Sequence, residues 1–302
     1  MAQDETVRVA PPPLDAKEDT MYAGLDGTGV PMRASELTGR AGKQPDGSAK
    51  SREAKLCTIW TANSHDTQGN PMRDGGSVSY SAAIESAAWK DKMDETPPFA
   101  QRVEREFTRR GFLQANRQVI LGDGALWIWN LADMLAPEAI QIVDVFHAKD
   151  RLSKLAAALY GANSDLAKQW LSARYAELDA GHVEGVIAAI GIQAGRPGQE
   201  GNLARKEREY FTSNCYRMDY ARFRAMGLCI GSGVLEAGCR VAVAQRLKRS
   251  GMFWTSEGAN AILALRCSLL SHRFDGFWKQ RKKNGPKSRP VKVTTKGHAV
   301  GY

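Results

Sequence analysis

Residues 21–30, MYAGLDGTGV, set an aspartate between two glycines in an apolar run that reads as a β-strand. Asp26 has three readings at this point: a turn residue, a fragment of a phosphate loop, or the first carboxylate of a metal site. What the rest of the chain can bring beside it decides among them.

Working outward, residues 34–53 form a polar, glycine-rich connection, and 54–63, AKLCTIWTAN, are strand-like again. A weaker strand is expected in 75–82, GGSVSYSA. Strands so closely spaced suggest an antiparallel meander. The rhythm then changes to a helix over 97–111, a buried strand in QVILGDG (118–124), a helix in ALWIWNLADML (125–135) and a strand in AIQIVDVFH (139–147). Trp127, Leu131, Met134 and Leu135 give that second helix its apolar face, and Pro137 follows its end.

Beyond His147 the strand signals fade. Leu152, Leu155, Ala156 and Leu159 make a helical stripe that Leu166, Trp170, Tyr175 and Leu178 continue, so 148–226 reads as all-α. Two further helices are expected in GSGVLEAGCRVAVAQRLKRSG and SEGANAILALRCSLLSHRFDGFW.

An antiparallel meander, a parallel strand–helix–strand unit and a helical return follow the order of a ribonuclease H-like α/β domain. The expected division is a linker or truncated start over 1–20, the first part of the core over 21–147, an α-helical insertion over 148–226, the returning core helices over 227–278 and a basic tail over 279–302. In that order Asp26 ends the first strand and Asp123 the fourth, at one edge of the sheet. Glu236, in the first turn of a helix entered through Gly231 and Gly233, is the third acid. Three carboxylates suit two hard divalent cations, Mg²⁺ or Mn²⁺, whose chemistry is in-line phosphoryl displacement. Taken singly, each acid has a plainer role: Asp in a DG pair as a turn former, Glu236 as an acid paired with Arg240 at i+4. GSGVLE and GDGALW lack the last small residue of a dinucleotide fingerprint, and neither carries a P-loop lysine.

The chain has 302 residues, 43% hydrophobic, and a net charge of +9. Lys279, Arg281, Lys282, Lys283, Lys287, Arg289, Lys292 and Lys296 lie in a terminal stretch without acids, which reads as a phosphate-neutralising arm or as a solubilising tail. No segment suggests a membrane span or a signal peptide. The five cysteines form no C-x-x-C pair, and a cytoplasmic, reduced protein is expected.

Five passages, GLDGTGVPM, GRAGKQPDGSAKSREAKL, LGDGALWIWNLA, IVDVFHAKDRLSKLAAALYG and IGSGVLEAGCRVAVAQRLKRSGMFWTSEGANAILALR, together resemble the ISKra group of DDE transposases of bacterial insertion sequences. The resemblance implies a ribonuclease H-like catalytic domain with an α-helical insertion before the glutamate. It assigns Asp26, Asp123 and Glu236 as catalytic, metal-holding residues for DNA end cleavage and strand transfer. It also implies two divalent ions, transposon-end and target DNA as partners, and a homodimer or larger assembly on paired ends.

Asp144 and His147 supply the D-x-x-H element of related transposases, either orienting the acids, contacting DNA or forming a structural pair. Arg240 is a candidate to face the triad, and Arg246, Lys248, Arg249, Lys282 and Lys283 are candidates for DNA contact. For Trp127, Trp129 and Trp254, core packing competes with base stacking. The first acid stands only 26 residues from the start, without a recognisable end-binding motif before it, so a truncated product is an expectation. The rivals are a non-catalytic DNA-binding remnant and another ribonuclease H-like nuclease.

Overall fold

The computed structural model describes residues 18–42, 44, 47–88, 96–231, 233–276 and 278–279. Its strands are β1 (Thr20–Pro31), β2 (Ser51–Thr61), β3 (Ser64–His65), β4 (Pro71–Met72), β5 (Ser79–Ala83), β6 (Arg117–Gly122) and β7 (Ile140–Val143). Five of them make one mixed sheet in the order β5-β2-β1-β6-β7, and β3 pairs with β4 in a small separate ribbon. β2 runs antiparallel to both β1 and β5, whereas β1–β6 and β6–β7 are parallel. This is the ribonuclease H-like arrangement that the sequence suggested.

The helices are α1 (Pro98–Arg110), α2 (Leu126–Leu135), α3 (Val145–Tyr160), α4 (Asp165–Asp179), α5 (Val183–Ala194), α6 (Gly198–Ser213), α7 (Tyr220–Ala225), α8 (Gly233–Gly238), α9 (Gln245–Leu247) and α10 (Ser256–Leu270). A π-helical turn, Cys239–Ala244, joins α8 to α9. No strand interrupts α3 to α7 among the described residues.

Alternation along β1 and β2 sends side chains to two cores. Met21, Ala23, Leu25, Cys57 and Ile59 join the larger core with α1, α2 and the helices from α3 to α7. Val30, Ala54, Leu56, Tyr80 and Ala82 meet Ala242, Val243 and Leu247 of the returning segment and Leu263 of α10. Two glycines let α8 settle on this second face. A Cβ at Gly24 would stand 2.4 Å from Leu235 Cδ2, and one at Gly238 would stand 3.0 Å from Leu56 Cδ2. The chain leaving β1 is tied down as well: Arg33 N donates to Trp254 O (2.9 Å) and Trp254 N to Pro31 O (3.1 Å).

Three sequence readings change. β1 does not end at Asp26 but continues to Pro31, because β2 pairs with it over its whole second half. β7 stops at Val143 rather than running to His147, since Asp144 Oδ1 accepts from Phe146 N (2.8 Å) and caps α3. Leu166 is exposed rather than part of the buried stripe: Ser164 caps α4, and Ala167 and Leu178 carry its buried face. The readings of 1–17 and of the tail from 280 onward fall outside the described residues.

Candidate functional site

Where β6 and β7 stop, three carboxylates stand in one row. Leu25 pairs with Gly122 and Gly122 with Val143, so the next residues along β1, β6 and β7 are Asp26, Asp123 and Asp144. Asp144 N still donates to Gly122 O (2.9 Å), which keeps the third position in step with the second. Carboxyl ends of parallel strands are where such sheets place ligands.

Asp26 shares a face with Gly24, two residues back, and that face lies under α8. Its Oδ1 accepts from Gly27 N (2.7 Å) and its Oδ2 from Cys239 Sγ (3.0 Å). Burial pushes the Asp26 carboxyl upward, against those two hydrogen bonds; the charge of Asp123 raises it further and His147 opposes. The Cys239 thiol is pushed up by its burial and by Asp26, so it stays protonated and donating.

Asp123 is held from two sides. Its Oδ1 accepts from Ala125 N (2.9 Å), and its carbonyl accepts from Tyr210 Oη (2.7 Å). The Tyr210 ring lies 3.6 Å from the Arg151 guanidinium, and Arg151 in turn pairs with Glu207 (2.8 Å). Gly124 has φ +92, and a Cβ there would stand 2.5 Å from the Tyr210 ring, so a glycine is required after Asp123 for both reasons.

Glu236 lies in the first turn of α8 with an exposed side chain. It lines a cavity of about 640 Å³ together with Asp26, Asp144, His147, Asp150 and Cys239. The structure thus brings Glu236, Asp144 and His147 to the same cavity as Asp26, with Asp123 near enough for its charge to act on Asp26. Yet no group of three or more His, Cys, Asp or Glu side chains among the described residues is drawn close enough to hold a metal ion. The donors suit a hard cation in kind, and Cys239 occupies an oxygen of Asp26.

The other expected contacts divide. Arg240, Arg246, Lys248 and Arg249 are exposed, and Lys248 Nζ donates to Thr28 Oγ1 (2.8 Å) two residues beyond Asp26. No ion pair joins Glu236 to Arg240 among the described residues, so that plainer role for Glu236 is not what the structure displays. Lys282 and Lys283 lie outside the described residues. The tryptophans serve packing: Trp129 is buried and donates to Asn214 Oδ1 (2.8 Å), Trp127 meets Phe99 edge-on, and Trp254 donates to Leu247 O (3.1 Å).

Sequence reasoning passed over Cys239, Asp150 and Tyr210. Asp150 was accessible from pattern, since it follows His147 at i+3 on α3 and the two share a helix face. Cys239 and Tyr210 meet the acids only through tertiary packing, across 213 and 87 residues of chain.

No protein-family model matches the chain, and no curated protein does. Among solved structures it is similar to a chain of the Drosophila P element transposase strand transfer complex. That similarity has 10% identity and a TM-score of 0.28, over 91% of this chain and 68% of the other. No described helix is long and apolar enough to cross a membrane.

Proposed function

We propose that this chain is a metal-dependent phosphoryl transferase acting on DNA, a DDE transposase of an insertion sequence. The observation that carries this reading is the register of the sheet. It sets Asp26 and Asp123 on adjacent strands, one residue past the last parallel pair, with Glu236 facing the cavity that Asp26 lines.

Asp26, Asp123 and Glu236 would hold the divalent ions, Mg²⁺ or Mn²⁺. When bound, these would supply Lewis-acid stabilisation of the charge that develops on a phosphate in displacement. The chain's own residues prepare that site. Burial of Asp26 beside Asp123 builds a concentrated negative potential that a dication relieves. Tyr210 and the Ala125 amide fix where Asp123 stands. Gathering the acids around an ion would require Cys239 to release Asp26. A π-helical turn begins at Cys239, beside Asp26, and such turns are frequent at functional sites. Exposed Lys248, Arg246 and Arg249, continuing from α8, would receive backbone phosphates of the DNA end.

The test is divalent-dependent nicking of a transposon-end duplex followed by joining to a target duplex. Asp123→Asn is expected to abolish both while leaving DNA affinity equal or higher, because a negative charge is removed. A non-catalytic remnant would bind without nicking in either form. A simple hydrolase would release products and never join them. Nicking that survives Asp123→Asn would refute the assignment.

A further inference from the structure

Phe146 is anomalous: a phenylalanine in the first turn of α3 with 64% of its surface exposed, yet fixed in place. Its backbone amide is held by the Asp144 carboxylate, and the neighbouring Val145 N donates to Ile230 O (3.0 Å). Its ring leans on Gly231, where a Cβ would approach the ring to 2.8 Å. One side of the ring is therefore braced against backbone while the rest faces solvent. Leaving such a ring in water forgoes about 1.5–3 kcal/mol of burial.

The ring stands between two cavities of opposite character. On one side is the acidic cavity of Asp26 and Glu236, which Phe146 also lines. On the other is a cavity of about 300 Å³ lined by Phe146, Lys149, Arg224, Asn70 and apolar groups, with two cations and no acid in its wall. Lys149 and Arg224 both bind Asp179 behind it (2.9 and 2.8 Å), so two positive charges share one negative. The surplus charge is positive.

We infer that Phe146 is a stacking platform for an unpaired DNA base. The backbone phosphate on one side of that nucleotide lies towards Lys149 and Arg224, and the phosphate on the other enters the acidic cavity. A base, which has an apolar face and an anionic phosphate on each side, matches an exposed ring between a cationic cleft and a cation-seeking one. The inference rests on the DNA reading above and deepens it: the strand would have to be splayed at the reacting end.

The test is binding of a short single-stranded DNA carrying 2-aminopurine at successive positions, with Ca²⁺ as the divalent ion so that the acidic cavity is neutralised without turnover. Wild type should quench one position strongly. Phe146→Ala should lose that quenching and bind roughly tenfold more weakly, the scale of one base–aromatic stack of about 1–3 kcal/mol. Phe146→Tyr should restore both. Gly231→Ala, whose Cβ would press on both the ring and Val145 Cγ1, should weaken quenching without removing the aromatic group. Matching circular dichroism of the variants guards against misfolding. Phe146→Ala with unchanged affinity and quenching overturns the platform alone, leaving the DNA reading intact. A wild-type protein that binds no DNA overturns both, and tighter binding of RNA of the same sequence overturns the choice of DNA.

Discussion

Placing one methyl group on Gly24 probes the contact on which the site is built. A Cβ there would lie 2.4 Å from Leu235 Cδ2 and 2.6 Å from Thr58 Oγ1, both well inside contact distance. Thr58 sits in the middle of β2 and its branched side chain is stiff, so the strain falls on Leu235, which must change its side-chain position or lift α8 with it. Overpacking of this kind costs about 1–3 kcal/mol. Leu235→Ala alone removes a buried side chain, for about 2–5 kcal/mol. Together the two changes should cost less than their sum by roughly 1–2 kcal/mol, because the alanine at 235 vacates the space that the new methyl needs; the Thr58 contact keeps the relief partial. Urea denaturation at constant slope reads the three values from midpoint shifts. Glu236 follows Leu235, so Gly24→Ala should also depress DNA nicking, and part of that loss should return in the double variant. Additivity within about 0.5 kcal/mol would mean that Leu235 does not rest on Gly24, and the placement of α8 over Asp26 would be wrong.

Two further outcomes follow from the same geometry. The Asp26 carboxyl is raised above its ordinary 3.8, so the folded state holds that proton more tightly than the unfolded chain. The associated stability is full below pH 3.8 and is lost as pH rises through the raised value. Asp26→Asn should therefore gain stability over wild type as pH climbs to neutrality, while the melting rise that Mn²⁺ gives wild type should vanish; a variant less stable at pH 7 than at pH 4, relative to wild type, would refute this. Tyr210→Phe removes the hydrogen bond to the Asp123 carbonyl, at a net cost of about 1 kcal/mol in thermal stability, and should lower the nicking rate much more than DNA affinity. Equal losses in both would deny Tyr210 a positioning role.

The sheet was legible because its signals are local. The runs at 21–30, 54–63 and 118–124 are apolar and bounded by glycine and polar residues, and each overlaps a strand of the observed order. That Asp26 and Asp123 stand side by side was legible for the same reason, although β1 runs on past Asp26 and it is the parallel pairing with β6, not the strand, that stops there. What escaped depends on contacts distant in sequence or on a competing cap. VDVFH reads as continued strand from its apolar alternation, but an aspartate ahead of the helical stripe at Leu152 and Leu155 is an N-cap signal, and the capping bond won. The π-helical turn in CRVAVA has no signature in composition; it arises where the chain must pass from Gly238, pressed on Leu56 and Thr58, to Leu247 in the second core. Nor can a sequence reveal that a cysteine at 239 donates to an aspartate 213 residues earlier.

The central claim is that Asp26, Asp123 and Glu236 can close around divalent cations. An anomalous difference map from crystals of the protein grown with Mn²⁺ and a short DNA end tests it directly. The account predicts manganese density within about 2.0–2.3 Å of both the Asp26 and Asp123 carboxylates, with Cys239 turned away and Glu236 drawn in. Ordered DNA at the cavity, with no manganese on Asp26 or Asp123 and the Cys239 contact intact, would contradict it.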